Sequence, residues 1–571
     1  MNNSGGKNIS EAPRGKPRGI FAEPCEAGNA IPLCDKPQGI LAKKGEPIHA
    51  AWLWTAWLTA LIAVLCLFAA NLVLGNLNQD EGWYLYAAKM VASGKMPYRD
   101  FAFTQGPVMP LVYSLLYPAI QSGGLAAGRL ITAVLALASA LIAAILAGRL
   151  SLPGQGRLAA AVCFFLALVN VYQIYFCTVV KTYSLAMFFL TGAFLTLSFA
   201  MTRRNGYLTM LAAALMVLAA GTRSSAAFVL PIVFCLLWLE RRKLNFAGWA
   251  YFILGGVIAS ILIIGPFLFQ SPMNFIYFAG RFHTLRHEGD LFSALIFKAG
   301  FISRVLQAYF VCFVFWAAAM VIRRSRQVAD NSRGDQAQSN VISSFMRRCI
   351  WISAIAVSLV HLGAPFPYDD YQVFIYPLIA ISVSLMIVEE IRGQGCKWVM
   401  LATLCLALSS AVSSPLNQEW IIEGRDLIWW RTKDKPPLLK LRETAGRIKS
   451  HCRPGDLLLT QDPYLAVETG CALPRGLELG QFSYFPALTR DQADKMNVLN
   501  RDTFAELLQN CNAPIAAFSG YAFAIQAPQI TPVPPADKLF FEQIVSNRYE
   551  LFDTVPAFGQ ASTELRLYRR K

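Results

Sequence analysis

Charge is scarce in this sequence: Asp, Glu, Lys and Arg make up 15% of its 571 residues, against 55% hydrophobic residues. Soluble domains carry about a quarter charged residues, so an ordinary soluble protein is excluded. With a mean hydropathy of +0.43, the chain reads as a multi-pass membrane protein. The thirteen cysteines include no C-x-x-C pair and no Cys/His spacing of a metal site. Most of them lie in apolar runs, where cysteine acts as a small hydrophobe. Residues 1–50 lack the apolar core and cleavage site of a signal peptide. Being rich in Gly, Pro, Lys and Arg, they read as a disordered cytoplasmic tail. No tandem repeat is visible.

What is present is a net charge of +16, with Lys and Arg in short clusters between apolar runs. That distribution sets topology and does not point to nucleic acid. Runs long enough to span the roughly 30 Å hydrocarbon core fall near 51–74, 125–148, 158–176, 181–201, 206–222, 225–239, 248–269, 301–322, 350–364, 371–388 and 397–413, about eleven transmembrane helices. With the tail inside, the cytoplasmic connections are Arg149 to Arg157, Arg203–Arg204, Glu240 to Lys243, Arg323 to Arg348 and Arg392 to Lys397, and each is basic.

The segment "GPVMPLVYSLLYPAI" at 106–120 is apolar but short and interrupted by Pro107, Pro110 and Pro118. If it crossed, every later basic loop would move outside, so it is placed as a juxtamembrane or re-entrant helix on the outer face. Before it, Tyr84, Ala87, Ala88 and Val91 follow helical spacing, with Gly94 as the stop. The fold class is therefore mainly α and polytopic, with outer-face juxtamembrane helices. The transmembrane domain covers 51–413, including an outer loop at 76–123.

An odd number of spans also puts 414–571 outside, where the composition becomes that of a soluble α/β domain. Leu438, Leu441, Ala445 and Ile448 mark a helix, "DLLLT" (456–460) and "PIAAF" (514–518) read as strands, and "ELRLYR" (564–569) alternates like an edge strand. Cys452, Cys471 and Cys511 permit one disulfide there; Cys452–Cys471 is the preferred pairing and the others stay open.

Two adjacent acids, Asp80 and Glu81, follow the first span on the outer side. They suit a helix N-terminus, yet Lys89, Lys95, Arg99, Asp100 and five Tyr and Trp residues from Trp83 to Tyr113 share the loop. A polar, aromatic cleft at a membrane surface suits a sugar on a lipid. Arg129, Lys181 and Arg223 fall on the same side. Each alone reads as a snorkelling residue, but together they suit a lipid phosphate or pyrophosphate. In "AGRFHTLRHEGD" (279–290), His283 and His287 lie four apart with Glu288 next, which is not the HExxH order; solvated loop histidines are the plainer reading. Asp369 and Asp370, at another outer end, could cap the tenth span or face the cleft; capping is preferred, with Tyr368 and Tyr371 as interface anchors.

The layout resembles the GT-C glycosyltransferase superfamily, with the bacterial protein-mannosyltransferase-like and aminoarabinose-transferase-like branch nearest. The likeness rests on "DEGWYLYAAKMVASGKMPYRDFAFTQGP", "GRLITAVLALASALIAAILAGRL" and, in the outer domain, "GDLLLTQDPYLAVETGCALPRGLELGQFSYFP". The resemblance implies a polyprenyl-phosphate-linked sugar as donor, inverting transfer on the non-cytoplasmic face of a bacterial inner membrane, and Asp80 as general base. Arg129, Lys181 and Arg223 would hold the donor phosphate. Tyr84, Lys89, Arg99 and Tyr371 would line the substrate cleft, with Glu81 beside the acceptor. Some relatives place a divalent metal between the second acid and a later His, here Glu81 and His283; no other cofactor is expected. The chain departs from the family where many relatives carry a further acid and it has "VVKTYSLAMFF", with Lys181 and Tyr183.

The competing readings are a transporter or lipid flippase, a ligase using a pyrophosphate-linked glycan, and a non-catalytic scaffold. Against transport, the polar residues gather on one face, not at the midplane. The sugar and the acceptor are not legible in the sequence, although Pro474, Arg475, Gly476 and Glu478 are a candidate acceptor-selecting surface.

Overall fold

The computed structural model describes residues 47–284, 291–329, 341–390, 434–520, 523 and 533–571. The expected tail (1–50, all but its last four residues), the eleventh span (397–413) with its basic connection, and His287 with Glu288 lie outside the described residues.

The first nine helices are α1 (Pro47–Leu74), α2 (Gln79–Ala92), α3 (Val108–Leu115), α4 (Tyr117–Leu150), α5 (Gly156–Leu168), α6 (Val171–Thr178), α7 (Thr182–Arg203), α8 (Gly206–Thr222) and α9 (Val229–Leu239). Helices Gly248–Ile263, Leu291–Ala308, Phe310–Ala329, Val341–Gly363 and Tyr376–Glu390 complete the apolar part. Among the described residues, five helices are long and apolar enough to cross a membrane: α1, α4, α7, Leu291–Ala308 and Val341–Gly363. The pair α5 and α6, bent by 71°, forms a sixth if taken as one span, and three shorter apolar helices accompany them. The expected run at 371–388 corresponds to the 15-residue helix Tyr376–Glu390.

Small residues allow this bundle to close. Along α4, Ala133, Ala136, Ala140, Ala143, Ala144 and Ala147 are all buried in its core and recur every three or four positions, so α5 and α7 approach its backbone closely. Where the chain bends, polar side chains replace lost helical bonds. Asn170 caps α6 by accepting from the Gln173 N–H (3.0 Å) and donates to Ala308 O (2.6 Å). The second bond takes a carbonyl at the end of Leu291–Ala308. The run at 301–322 is thus two helices broken at Tyr309 and not one span, with Tyr309 stacked on Tyr376 at 3.9 Å and donating to Gln173 Oε1 (2.8 Å).

The proline-rich segment at 106–120 forms the short helix α3, and α4 kinks at Gly124 (φ +61°). The second span restarts at Leu125, as expected. Glu468 Oε1 accepts from the Leu125 N–H (2.9 Å), supplying the cap. A side chain at Gly124 would meet that carboxylate at 2.4 Å.

Residues 434–571 contain a four-stranded sheet in the order β1-β2-β4-β3, made of β1 (Leu458–Thr460), β2 (Ile515–Phe518), β3 (Tyr549–Phe558) and β4 (Thr563–Arg570). β1 and β2 are parallel and the other pairings antiparallel. The expected edge strand at 564–569 is internal: β4 lies between β2 and β3, and Leu565 and Leu567 are buried. The alternation was read correctly, but β3, whose pattern is irregular around two register shifts, was missed. The expected helix is Pro437–Lys449, with Leu438, Leu441, Ala445 and Ile448 inward.

One apolar cluster joins this sheet to the membrane part: Leu85, Ala88, Phe103 and Met109 share it with Leu458, Tyr464, Ile515 and Leu567. α2 is therefore not a half-exposed interfacial helix. Its residues Gln79 and Glu81 to Ala88 are buried, because one side meets α3 and α4 and the other meets helix Pro463–Thr469. Gly82 permits this approach, since a Cβ there would stand 2.3 Å from Tyr464 N. Gly82→Ala is expected to cost about 1–3 kcal/mol and lower the Tm of the purified protein. Gly256→Ala, where nothing lies within 4 Å, is expected to leave it unchanged.

Candidate active site

The two acids after the first helix divide their work. Asn78 opens α2 by accepting from Asp80 N (3.1 Å), while Glu81 Oε2 accepts from Asn78 N (2.9 Å), completing a capping box. Glu81 is fully buried and receives Arg129 in a bidentate pair, Nε to Oε1 at 2.8 Å and Nη2 to Oε2 at 2.7 Å. Val180 N also donates to Oε1 (3.2 Å). The remaining Arg129 donors reach Leu72 O and Gly75 O at 3.2 Å and Asn76 O at 2.8 Å. Arg129 thus pins the end of α1, and it is not a phosphate ligand as expected from sequence. All its donors face protein, and it does not line the cavity described next.

Asp80 turns the other way, into a cavity of about 640 Å³. Its carboxylate accepts from Trp83 Nε1 (3.2 Å) and pairs with Lys181 Nζ (3.1 Å), and its side chain is 28% exposed. Lys181, at the start of α7, is shared: its Nζ also lies 3.1 Å from Asp370 Oδ2, which accepts from Tyr183 OH at 2.9 Å. Arg223 follows α8 and lines the same cavity, 8% exposed, its guanidinium over the rings of Tyr183 and Tyr371 at 4.6 Å. Among the described residues it donates to Thr182 Oγ1 (3.3 Å), its Nε has no partner and no carboxylate pairs with it. Burial, with Asp80 alongside, holds the Tyr84 phenol well above its ordinary range, so it enters the cavity as a neutral group.

Of the other predicted cleft residues, Tyr84 and Tyr371 line the cavity and Lys89 and Arg99 do not. Lys89 is spent on Gly470 O (3.2 Å) and Cys471 O (2.5 Å), docking the C-terminal domain, and burial lowers its pKa. Arg99 lies exposed, bonded to Asp100 and Gln270. His283 lines the cavity with Nε2 donating to Thr104 O (2.6 Å). With both oxygens of Glu81 committed to protein donors and this nitrogen to a carbonyl, the residues do not fit the Glu81–His283 metal pair. No group of three or more His, Cys, Asp or Glu suited to a metal occurs among the described residues.

The Asp369–Asp370 pair does not cap the following helix. Asp370 faces the cavity, and Asp369 accepts from Arg304 Nε (2.9 Å) and from Tyr172 OH. Burial and the neighbouring Asp370 raise the Asp369 pKa. Tyr368 and Tyr371 are cavity walls and not interface anchors. Sequence reading also missed His361, whose ring lies between Ser225 Oγ (3.0 Å) and Gln372 Nε2 (3.2 Å), and Gln481, Phe482 and Gln560 of the C-terminal domain, which complete the wall. No local pattern marks these residues; chain folding alone brings them there.

The candidate acceptor surface is mostly interior. Arg475 is exposed, but Pro474, Gly476 and Glu478 are buried, Glu478 accepting from Gly476 N (2.8 Å). The preferred Cys452–Cys471 disulfide is not formed: both cysteines are free, their thiols hydrogen-bonded to each other, and the contact brings Cys471 down to about 7. Burial pushes the Glu478 carboxyl from 4.5 up to about 7. A raised carboxyl stabilises the fold below its unfolded pKa, and that contribution is lost as pH rises through about 7. Glu478→Gln is expected to be more stable than wild type at pH 8, by roughly 3 kcal/mol at most, and so to show a higher Tm there. Near pH 4 the two proteins should unfold together, as thermal scans at both pH values will show.

No family model matches the sequence, and no curated protein does. Solved structures do match. ArnT from Cupriavidus metallidurans bound to undecaprenyl phosphate is 15% identical, with 90% of this chain and 98% of that chain covered and a TM-score of 0.55. Its apo state gives the same identity and TM-score over 91% of this chain. The oligosaccharyltransferase AglB from Archaeoglobus fulgidus is 12% identical, covering 83% of this chain and 70% of that one, at a TM-score of 0.45. The chain shares the fold of the Cupriavidus metallidurans ArnT.

Proposed function

We propose that the protein is an inverting glycosyltransferase that moves a sugar from a polyprenyl-phosphate donor to an acceptor at the non-cytoplasmic face of a bacterial inner membrane. The observation that carries this reading is a carboxylate, Asp80, sharing one cavity with Lys181 and with a buried arginine, Arg223, that no carboxylate among the described residues pairs. ArnT, of the same fold, was captured with undecaprenyl phosphate, which supports a lipid phosphate as the donor's leaving group.

In this reading Asp80 takes the proton of an acceptor hydroxyl as that oxygen attacks the anomeric carbon. The new glycosidic bond forms as the bond from the anomeric carbon to the phosphate oxygen breaks, and the phosphate leaves with the electron pair. Arg223 and Lys181 meet the charge that develops on it. Lys181 already bridges Asp80 and Asp370 at 3.1 Å each, so it can lean toward the phosphate while Asp370 keeps it in place. One base and two cations are enough, because phosphate is a good leaving group.

Asp80→Asn is expected to lower transfer from a panel of radiolabelled undecaprenyl-phosphate sugars into membrane extract by about 10²-fold or more, while binding of undecaprenyl phosphate stays within a few-fold of wild type. Arg223→Gln should weaken that binding. Transfer undiminished in Asp80→Asn removes Asp80 from the chemistry.

A further inference from the structure

Three amide side chains in the cavity wall are left with unmet hydrogen-bonding capacity. Asn78, Gln79 and Gln481 line the cavity at 1%, 3% and 3% exposure. Asn78 spends its Oδ1 on the backbone N–H of Asp80 (3.1 Å), so Nδ2 is its other end. Gln79 spends its Nε2 on Asp462 Oδ1 (2.7 Å), an oxygen that also accepts from Tyr464 OH (3.0 Å), so Oε1 is its other end. Asn78 Nδ2, Gln79 Oε1 and Gln481 Oε1 have no partner among the described residues. A buried polar atom without a partner costs about 1–3 kcal/mol, and native structures carry few of them. Three in residues of one wall indicate a ligand that completes them.

Their chemistry selects that ligand. A phosphate or carboxylate offers only acceptors and leaves Gln79 Oε1 and Gln481 Oε1 unmet. An ammonium offers only donors and leaves Asn78 Nδ2 unmet. A hydroxyl is donor and acceptor together. Resting on the glycosyltransferase reading, we infer that Asn78, Gln79 and Gln481 form a subsite for the hydroxyls of an uncharged sugar ring, beside Asp80 and apart in chemistry from the cationic Lys181 and Arg223. The C-terminal domain supplies Gln481 and so takes part in choosing the substrate.

The test uses the full-length protein in nanodiscs and the methyl glycosides of a neutral hexose, a uronic acid and an amino sugar, with binding read by saturation-transfer NMR. Gln481→Met keeps the side-chain length and removes the acceptor; Gln481→Glu keeps an acceptor oxygen. The neutral hexoside is expected to bind wild type better than either charged glycoside, about tenfold more weakly to Gln481→Met, and within a few-fold of wild type to Gln481→Glu. Adding an undecaprenyl-phosphate-linked hexose separates the two sources of such a ring: it displaces the glycoside where the subsite holds the donor sugar and leaves it bound where the subsite holds the acceptor. Equal binding of the hexoside to wild type and Gln481→Met, or tighter binding of a charged glycoside, overturns the inference. Undecaprenyl phosphate binding, measured on all three proteins, controls for folding; its failure in wild type strikes the proposed function and leaves the sugar subsite to be judged by the glycosides.

Discussion

The Glu81–Arg129 pair is the interaction on which the site depends. Both side chains are fully buried, and removing one partner of such a pair strands a charge away from water, at a cost of several kcal/mol. Through Arg129 the pair holds the carbonyls that follow α1, and through Glu81 it holds the first turn of α2 and the backbone at Val180. Val180 directly precedes Lys181 and Glu81 directly follows Asp80. One ion pair thus fixes the backbone on both sides of the Asp80–Lys181 contact.

That division of labour explains the doublet of acids. On a helix, neighbours in sequence point about 100° apart, so when one enters the protein core its neighbour faces elsewhere. Here the elsewhere is the cavity. The same logic applies at Asp369 and Asp370, where one carboxylate meets Arg304 and the other meets Lys181. In both doublets one acid is structural and its neighbour faces the cavity, and Lys181 is the ion that bridges the two cavity-facing members.

Much of the helical framework was legible because apolar periodicity and charge clusters are local signals. α8 matches its expected run at both ends, and the restart at Leu125 was visible as a change in composition after the prolines. Asp80, Lys181, Arg223, Tyr84 and Tyr371 were singled out and share one cavity. Arg129 was misjudged because sequence does not tell a cation facing a ligand from one facing a buried carboxylate; the two differ only in where Glu81 points. Lys89 was misjudged because its partners, the carbonyls of Gly470 and Cys471, lie nearly four hundred residues away and carry no side-chain signature. Asp370, His361, Gln481 and Gln560 reach the cavity through tertiary closure alone, which no spacing rule reports.

The contact at Gly82 has a mechanical consequence. With the backbone of the Asp80-bearing helix seated against the amide of Tyr464, too tightly for even a methyl group, helix and sheet domain behave as a single rigid jaw. Widening the chamber by hinging at that seam would tear open packed apolar surface, so the base and the sheet domain move together or not at all.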